Sequence, residues 1–149
     1  MLDPKRFSFL VIAFVAVLTA GCASAPPEVK LVRGKVTYNG EPLAKADLEF
    51  TPETDLALGG FGGQTDSEGA YHIELGKGTG KNARPGRFLV LISKGSSKVT
   101  GIDPTEGGTY GILPEKYAIK SSTPFHLDIA AGENELETLK LEGPPLKKK

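Results

Sequence analysis

Alternation of apolar and polar residues is the feature that most restricts the fold of this chain. Apolar residues recur at every second position in short runs, and turns rich in Gly and Pro separate the runs. A period of two places successive side chains on opposite faces of a β-strand. The inward positions that this pattern predicts are Val32, Gly34, Val36 and Tyr38; Ala46, Leu48 and Phe50; Tyr71, Ile73 and Leu75; Phe88, Val90 and Ile92; and Phe125, Leu127 and Ile129.

A further run at the end of the pattern, Asn134 to Leu141, alternates imperfectly. A β-bulge near Leu136 would bring its two halves into one register. Six or seven short strands joined by turns are what two packed antiparallel sheets require. We therefore predict an all-β fold, a single antiparallel β-sandwich of about seven strands over residues 30–142.

Charge and cysteine content narrow the classes of partner and of stabilising chemistry. Lys and Arg together number 18, as do Asp and Glu, so the chain has no net charge that would attract nucleic acid. The single cysteine excludes an internal disulfide and a cysteine-based zinc cluster. Packing alone must hold the core, and we expect neither a nucleic-acid partner nor a cofactor.

The N-terminal segment has the layout of a secretory signal. Lys5 and Arg6 precede an apolar stretch from Phe7 to Leu18, and small residues then lead to Cys22. The apolar stretch is shorter than the ~20 residues that a membrane-spanning helix needs. Three outcomes are open for such a segment: cleavage with lipid attachment to Cys22, cleavage without lipid, and an uncleaved anchor.

The letters L-T-A-G-C at 18–22 resemble the lipobox of bacterial lipoproteins. The resemblance implies that residues 1–21 are a signal peptide and that Cys22 carries diacylglycerol and an N-linked acyl chain such as palmitate. The family prefers Leu three residues before the cysteine, where this chain has Thr19. Ala23 rather than Asp follows the cysteine, which by resemblance favours the outer over the inner membrane. We expect a lipid-anchored protein of the cell envelope, on its periplasmic or surface face.

The predicted domain has a non-periodic segment on each side. Residues 22–29 contain Pro26 and Pro27 and are predicted to form a flexible tether. Residues 143–149 contain two prolines and three terminal lysines and are predicted to form a disordered basic tail.

Three ordered motifs resemble the carboxypeptidase regulatory-like, transthyretin-like β-sandwich. They are V-R-G-K-V-T-Y-N-G-E-P-L-A-K-A-D-L-E-F-T-P at 32–52, T-D-S-E-G-A-Y at 65–71 and P-G-R-F-L-V at 85–90. Small bacterial lipoproteins often carry this domain alone. L-P-E-K-Y at 113–117 and A-G-E-N at 131–134 also recur in such lipoproteins. The residues of the second motif support a turn, because Asp66 can accept backbone N–H bonds and Gly69 can adopt a positive φ.

Residues that could perform chemistry are sparse in this sequence. Asp66-x-Glu68-Gly69 is only a fragment of a calcium loop, and Gly76 to Lys81 lacks the spacing of a phosphate-binding loop. His72 and His126 lie at outward positions of strands, where solvated imidazoles are common. We predict no catalytic residue and no metal site. The alternative is a small hydrolase-like or metal-dependent enzyme that uses His72 and His126 in one concave site.

Two features mark a candidate partner surface. Leu89 and Leu91 give one strand a second apolar face, which either the 95–123 connection or a partner would cover. The long connections 53–63 and 95–123 are where a sandwich would carry binding. The candidate residues are Leu89, Leu91, Lys77, Lys81, Arg84, Tyr110 and Tyr117, with Arg87 adding to the basic group.

The function that we expect is a membrane-anchored, non-catalytic envelope lipoprotein that binds or supports an envelope protein or glycan. A solute-binding lipoprotein is a third hypothesis, and it requires an enclosed apolar pocket.

Overall fold

The computed structural model describes residues 24–95 and 112–146. These residues form nine strands and two 3₁₀ helices. The strands are β1 (Val29–Tyr38), β2 (Glu41–Pro42), β3 (Asp47–Pro52), β4 (Phe61–Gln64), β5 (Ala70–Glu74), β6 (Gly86–Ser93), β7 (His126–Ile129), β8 (Gly132–Glu135) and β9 (Leu139–Leu141). The 3₁₀ helices are η1 (Leu56–Leu58) and η2 (Glu115–Tyr117). The prediction of an all-β fold with two sheets is confirmed.

One sheet has five strands and is built around β1. β5 pairs with residues 31–35 of β1 and β2 pairs with residues 37–38, both antiparallel. β8 and β9 pair with β1 in parallel, and residues 136–138 separate them. The predicted interruption near Leu136 is thus present as a break between two short strands.

The expectation of purely antiparallel sheets was wrong for β8 and β9. β7 ends at Ile129 in the other sheet, and the chain crosses to β1 where the Gly132 N–H donates to the Glu28 carbonyl. Because the chain enters this sheet beside the start of β1, it can only continue in the same direction as β1. The crossing point between the sheets therefore determines the parallel pairing.

The second sheet has four strands in the order β4-β3-β6-β7, all antiparallel. β4 was not predicted, because its Phe-Gly-Gly-Gln sequence has no alternation and was assigned in part to the connection 53–63. Packing explains the second glycine of this strand. A Cβ atom at Gly63 would lie 2.6 Å from the Ile73 Cγ1 atom of the opposite sheet.

The core lies between the two sheets. Phe50 and Phe61 stack with ring centroids 4.6 Å apart, and Phe88 meets Phe61 edge-on at 5.5 Å. Phe50 also contacts Tyr71 of the other sheet, with centroids 6.2 Å apart. Most of the predicted inward residues are buried in this one cluster, whereas Phe125 and Leu127 at its margin are half-buried.

Two predicted turns have the geometry that their residues require. Asn39 and Gly40 both have positive φ, 50° and 84°, which matches the turn type that joins β1 to β2. The Asp66 Oδ1 atom accepts N–H bonds from Glu68 and Ala70, at 2.8 and 2.9 Å, and Gly69 has a φ of 72°.

The two ends of β1 define two ends of the domain, which we call the Val29 end and the Tyr38 end. Residues 24–28 precede Val29, are exposed and have no regular secondary structure. At the Tyr38 end, the Tyr38 hydroxyl donates to the Pro144 carbonyl at 2.7 Å, and the Asn39 and Gly143 amide groups exchange two bonds. Leu146, which the sequence placed in the tail, packs against the core.

Candidate binding surfaces

His72 and His126 lie on the outward faces of different sheets. His72 belongs to β5, and its Nε2 atom is 3.4 Å from the Glu74 Oε1 atom. His126 belongs to β7, and its Nδ1 atom is 3.3 Å from the Glu53 Oε1 atom. Both histidines are exposed and the core separates their sheets, so the structure does not bring the two imidazoles together.

Glu53 connects the side chains of Arg87 and His126 at the Val29 end of the four-stranded sheet. Its Oε2 atom is 2.9 Å from the Arg87 Nε atom, while its Oε1 atom faces His126. The Glu53 N–H also donates to the Arg87 carbonyl, which fixes the two residues opposite each other. Exposed pairs of this kind contribute about 0–1 kcal/mol. Arg87 is therefore an ion-pair partner, not a free member of the predicted basic group.

A groove of about 710 Å³ lies over the five-stranded sheet, and sequence reasoning did not identify it. Its lining includes outward residues of β1, β5 and β8, the last residue of β4 and the β4–β5 turn, which are Arg33, Lys35, His72, Glu135, Gln64 and Asp66. The Arg33 Nη2 and Glu135 Oε2 atoms are 3.1 Å apart. Both positive and negative side chains line the groove, so it suits a polar ligand without a large net charge. The parallel β8 completes it, which the sequence could not indicate.

Tyr71 lies beneath this region, with its side chain on the inward face of β5. Its hydroxyl is the one buried side-chain polar atom without a hydrogen-bond partner in the described part of the chain. Burial raises the pKa of Tyr71 well above its ordinary value. A Cβ atom at Gly34 would lie 2.5 Å from the Tyr71 hydroxyl oxygen, so the aromatic ring requires glycine at the opposing position of β1.

The predicted basic residues of the 76–84 loop have different environments. The Lys81 ammonium donates to the Gly62 carbonyl at 2.8 Å and so holds the loop against β4. Gly76 and Lys81 form a bridge that closes the loop. Lys77 and Arg84 are exposed.

The predicted aromatic and apolar contact residues differ in accessibility. Leu89 is only 8% exposed although it lies on the outward face opposite Thr51 and His126, whereas Leu91 is half-buried. Tyr117 is a core residue that stacks on Phe125, and its hydroxyl exchanges hydrogen bonds with the Glu142 backbone at 2.9 and 3.1 Å. Tyr110 and Cys22 lie outside the described residues.

No group of three His, Cys, Asp or Glu side chains within residues 24–95 and 112–146 could hold a metal ion. The same residues contain no helix that is long and apolar enough to cross a bilayer. No protein-family model matches the chain, and no curated protein matches it.

Proposed function

We propose that this protein is a membrane-anchored, non-catalytic lipoprotein of the bacterial cell envelope, and that its domain binds or supports an envelope protein or glycan. The observation that carries the proposal is the order of the first 29 residues. A basic, apolar and small-residue segment ends at Cys22, and an exposed stretch then leads into β1. In this order, the segment proposed as the membrane anchor precedes the folded domain, and an exposed stretch connects the two.

Lipid on Cys22 would make the attachment stable. Each buried methylene contributes about 0.8 kcal/mol, so one acyl chain binds reversibly, whereas the two or three chains of a lipoprotein hold it at the membrane. Ala23 favours the outer membrane, as in lipoproteins that lack Asp at this position. The exposed 24–28 stretch would link this anchor to the folded domain.

We assign the domain to the carboxypeptidase regulatory-like, transthyretin-like sandwich. The three motifs that carry the resemblance fall on β1 to β3, on the turn into β5 and on β6. Two sheets that share one core support this assignment. The parallel pairing of β8 and β9 with β1 is a detail that the motifs did not indicate.

The positions of the histidines favour a binding role over the enzymatic alternative. An enzyme using both imidazoles needs them within reach of one substrate, and they lie on different sheets. A solute-binding role needs an enclosed apolar pocket, whereas the groove is lined mainly by polar and charged residues. The groove is the surface on which we expect the partner to bind.

The anchor is tested by fractionating cells that express the parent, Cys22→Ser or the matched tether variant Ser24→Ala. We expect the parent and Ser24→Ala to incorporate labelled palmitate and to remain with membranes. Cys22→Ser should incorporate none and should lose both lipoprotein processing and membrane retention. Equal processing and partitioning of Cys22→Ser and the parent would refute the anchor.

The binding role is tested by crosslinking in cells, followed by mass spectrometry of captured protein and glycan. Arg33→Glu alters the groove, and Lys140→Glu on β9 changes an exposed charge that does not line it. We expect a reproducible partner that Arg33→Glu loses and Lys140→Glu retains. Turnover of a small molecule by the purified protein without a captured partner would favour the enzyme.

A further inference from the structure

We propose that the Val29 end of the domain rests on the membrane and contacts anionic phospholipid headgroups through Leu56, Lys77 and Arg84. We call these three residues the headgroup surface. The inference rests on the proposed lipid anchor and adds a second, non-covalent contact to it. It also assigns an orientation, in which the Tyr38 end is directed away from the bilayer.

The length of the tether keeps the Val29 end close to the bilayer. Seven residue steps separate Cys22 from Val29. A fully extended chain covers at most ~3.5 Å per residue, so Val29 lies within about 25 Å of the anchored cysteine. The loops that surround Val29 are therefore within reach of the headgroups.

Backbone hydrogen bonds place the segments that carry the headgroup surface at the Val29 end. The Leu75 N–H donates to the Lys30 carbonyl at 2.9 Å, two residues before Lys77. The Val29 N–H donates to the Ala83 carbonyl at 3.0 Å, which joins the start of β1 to the 76–84 loop. The Arg84 N–H donates to the Leu58 carbonyl at 2.8 Å, which joins that loop to η1. Leu56 and Arg84 thus belong to two segments that are bonded to each other, next to the end of the tether.

Leu56 is the apolar element of this surface. It is 78% exposed, and the other exposed large hydrophobic residue of the described chain, Ile112, lies at the opposite end beside Lys94. The Asp55 carboxylate accepts the Ala57 N–H at 3.0 Å and so caps the helical turn that presents Leu56. An exposed apolar side chain at the same end of a domain as exposed cations is a combination that suits an interfacial contact.

The charge of the neighbouring chain fits an anionic surface. No Asp or Glu occurs from Leu75 to Ser93, and Lys77 and Arg84 are both exposed within this range. Glu53 is bonded to Arg87 and faces His126. Asp55 caps η1 beside Leu56, and the two exposed cations Lys77 and Arg84 outnumber this one carboxylate. Glu28 and Glu133 lie on the β8 side of β1, whereas the 76–84 loop follows β5 on its other side.

The test uses the full lipidated chain in vesicles of phosphatidylethanolamine and phosphatidylglycerol at about 3:1, because each cation near an anionic surface shifts binding by about fivefold. An environment-sensitive fluorophore is attached to Leu56→Cys or to the control Lys140→Cys, since the thioether to diacylglycerol blocks the Cys22 thiol. Bilayer spin-labelled lipid is the quencher. We expect strong quenching at position 56 and little at position 140.

A second arm tests the charge contribution. Lys77→Glu combined with Arg84→Glu in the Leu56→Cys background should remove most of the quenching, whereas Lys140→Glu in the same background should leave it unchanged. Replacing phosphatidylglycerol with phosphatidylcholine should act like the double variant. Equal quenching at positions 56 and 140, or quenching that ignores both changes of charge, would overturn the inference.

Flotation of the same vesicles separates the two proposals. A parent chain that does not float with the vesicles refutes the anchor. A chain that floats while positions 56 and 140 are quenched equally refutes only the headgroup surface.

Discussion

The two ends of the domain are built differently. At the Tyr38 end, side chains bond to distant backbone groups: Tyr38 to Pro144, Tyr117 to Glu142 and Thr65 to Leu43, and Lys94 likewise donates to the Ala44 carbonyl. At the Val29 end, the loops are joined chiefly by backbone hydrogen bonds, and Leu56 is exposed.

This difference separates stability from recognition. Substitutions at the Tyr38 end should lower the free energy of unfolding, because they remove buried packing or leave buried polar groups unpaired. Substitutions at the exposed positions of the Val29 end should change contacts with other molecules and leave unfolding nearly unchanged. Matched substitutions, one at each end of the domain, test whether the two ends differ in this way.

The largest contrast is expected between Tyr117→Ala and Leu56→Ala. Removing the Tyr117 ring from the core should lower the free energy of unfolding by about 3–5 kcal/mol. Leu56→Ala should change it by less than about 0.5 kcal/mol, because Leu56 is exposed. Urea unfolding monitored by circular dichroism measures both values. Equal losses in the two variants would show that η1 is as important to the core as η2.

Two glycines with positive φ provide the next contrast. A Cβ atom at Gly69 would lie 2.6 Å from the Val36 carbonyl oxygen, so Gly69→Ala adds a backbone clash to the strain and should cost more than about 2 kcal/mol. Gly78 has open space around it, and Gly78→Ala should cost about 1 kcal/mol from strain alone. Thermal unfolding of the two variants shows which one loses more stability. A larger loss in Gly78→Ala than in Gly69→Ala would contradict the packing at the Val36–Gly69 contact.

A smaller contrast is expected between two threonines. The Thr65 hydroxyl donates to the Leu43 carbonyl at 2.6 Å and accepts the Ala46 N–H at 2.9 Å, and both bonds are buried. Thr65→Val should cost about 1–3 kcal/mol, because it leaves two backbone groups unpaired. The Thr79 hydroxyl makes comparable bonds to Gly76 and Lys81 in an exposed loop. Thr79→Val should cost less than about 1 kcal/mol, since water can replace its bonds. Chemical denaturation measures the free energy of unfolding of both variants, and a loss in Thr79→Val as large as that in Thr65→Val would contradict the prediction.

The smallest effect concerns Tyr71, which lies between the ends. Because burial raises the pKa of Tyr71 in the folded protein, the unfolded chain loses this proton first, near pH 10. The contribution of Tyr71 to the free energy of unfolding should therefore be fully present below about pH 10 and should be lost as the pH rises above that value. Tyr71→Phe removes an unpaired hydroxyl, so it should unfold within about 1 kcal/mol of the parent at pH 7. It should also lose less stability between pH 10 and 12, and parallel pH profiles would contradict this assignment.

Local sequence patterns predicted most of the strands because alternation depends on neighbouring residues. The inward faces of β1, β3, β5 and β6 followed directly from it, as did the turns at Asn39–Gly40 and Asp66–Gly69. β4 was missed because its glycines are required by contacts with residues distant in sequence: Gly63 lies against Ile73 of the opposite sheet, and Gly62 lies against the Leu48 backbone of β3. The parallel direction of β8 and β9 was missed for a similar reason, since it depends on where the chain crosses between sheets.

The candidate surfaces show the same limit. The sequence grouped Lys77, Lys81, Arg84 and Arg87 by charge, but the structure commits Lys81 to Gly62 and Arg87 to Glu53. Tyr117 looked like a loop aromatic because the residues it stacks on and bonds to are distant in sequence. The sequence did not predict the groove, because the groove depends on β8 lying beside β1.

The central position of β1 has a consequence for the order in which the five-stranded sheet can form. Arg33 of β1 meets Glu135 of β8, 102 positions later, and β9 follows further still along the same strand. Contacts this distant in sequence close late in folding. During synthesis the N-terminal part of the chain is made first, so β1 lacks its two parallel neighbours until β8 and β9 have been added. The five-stranded sheet can therefore be completed only when nearly the whole domain is present.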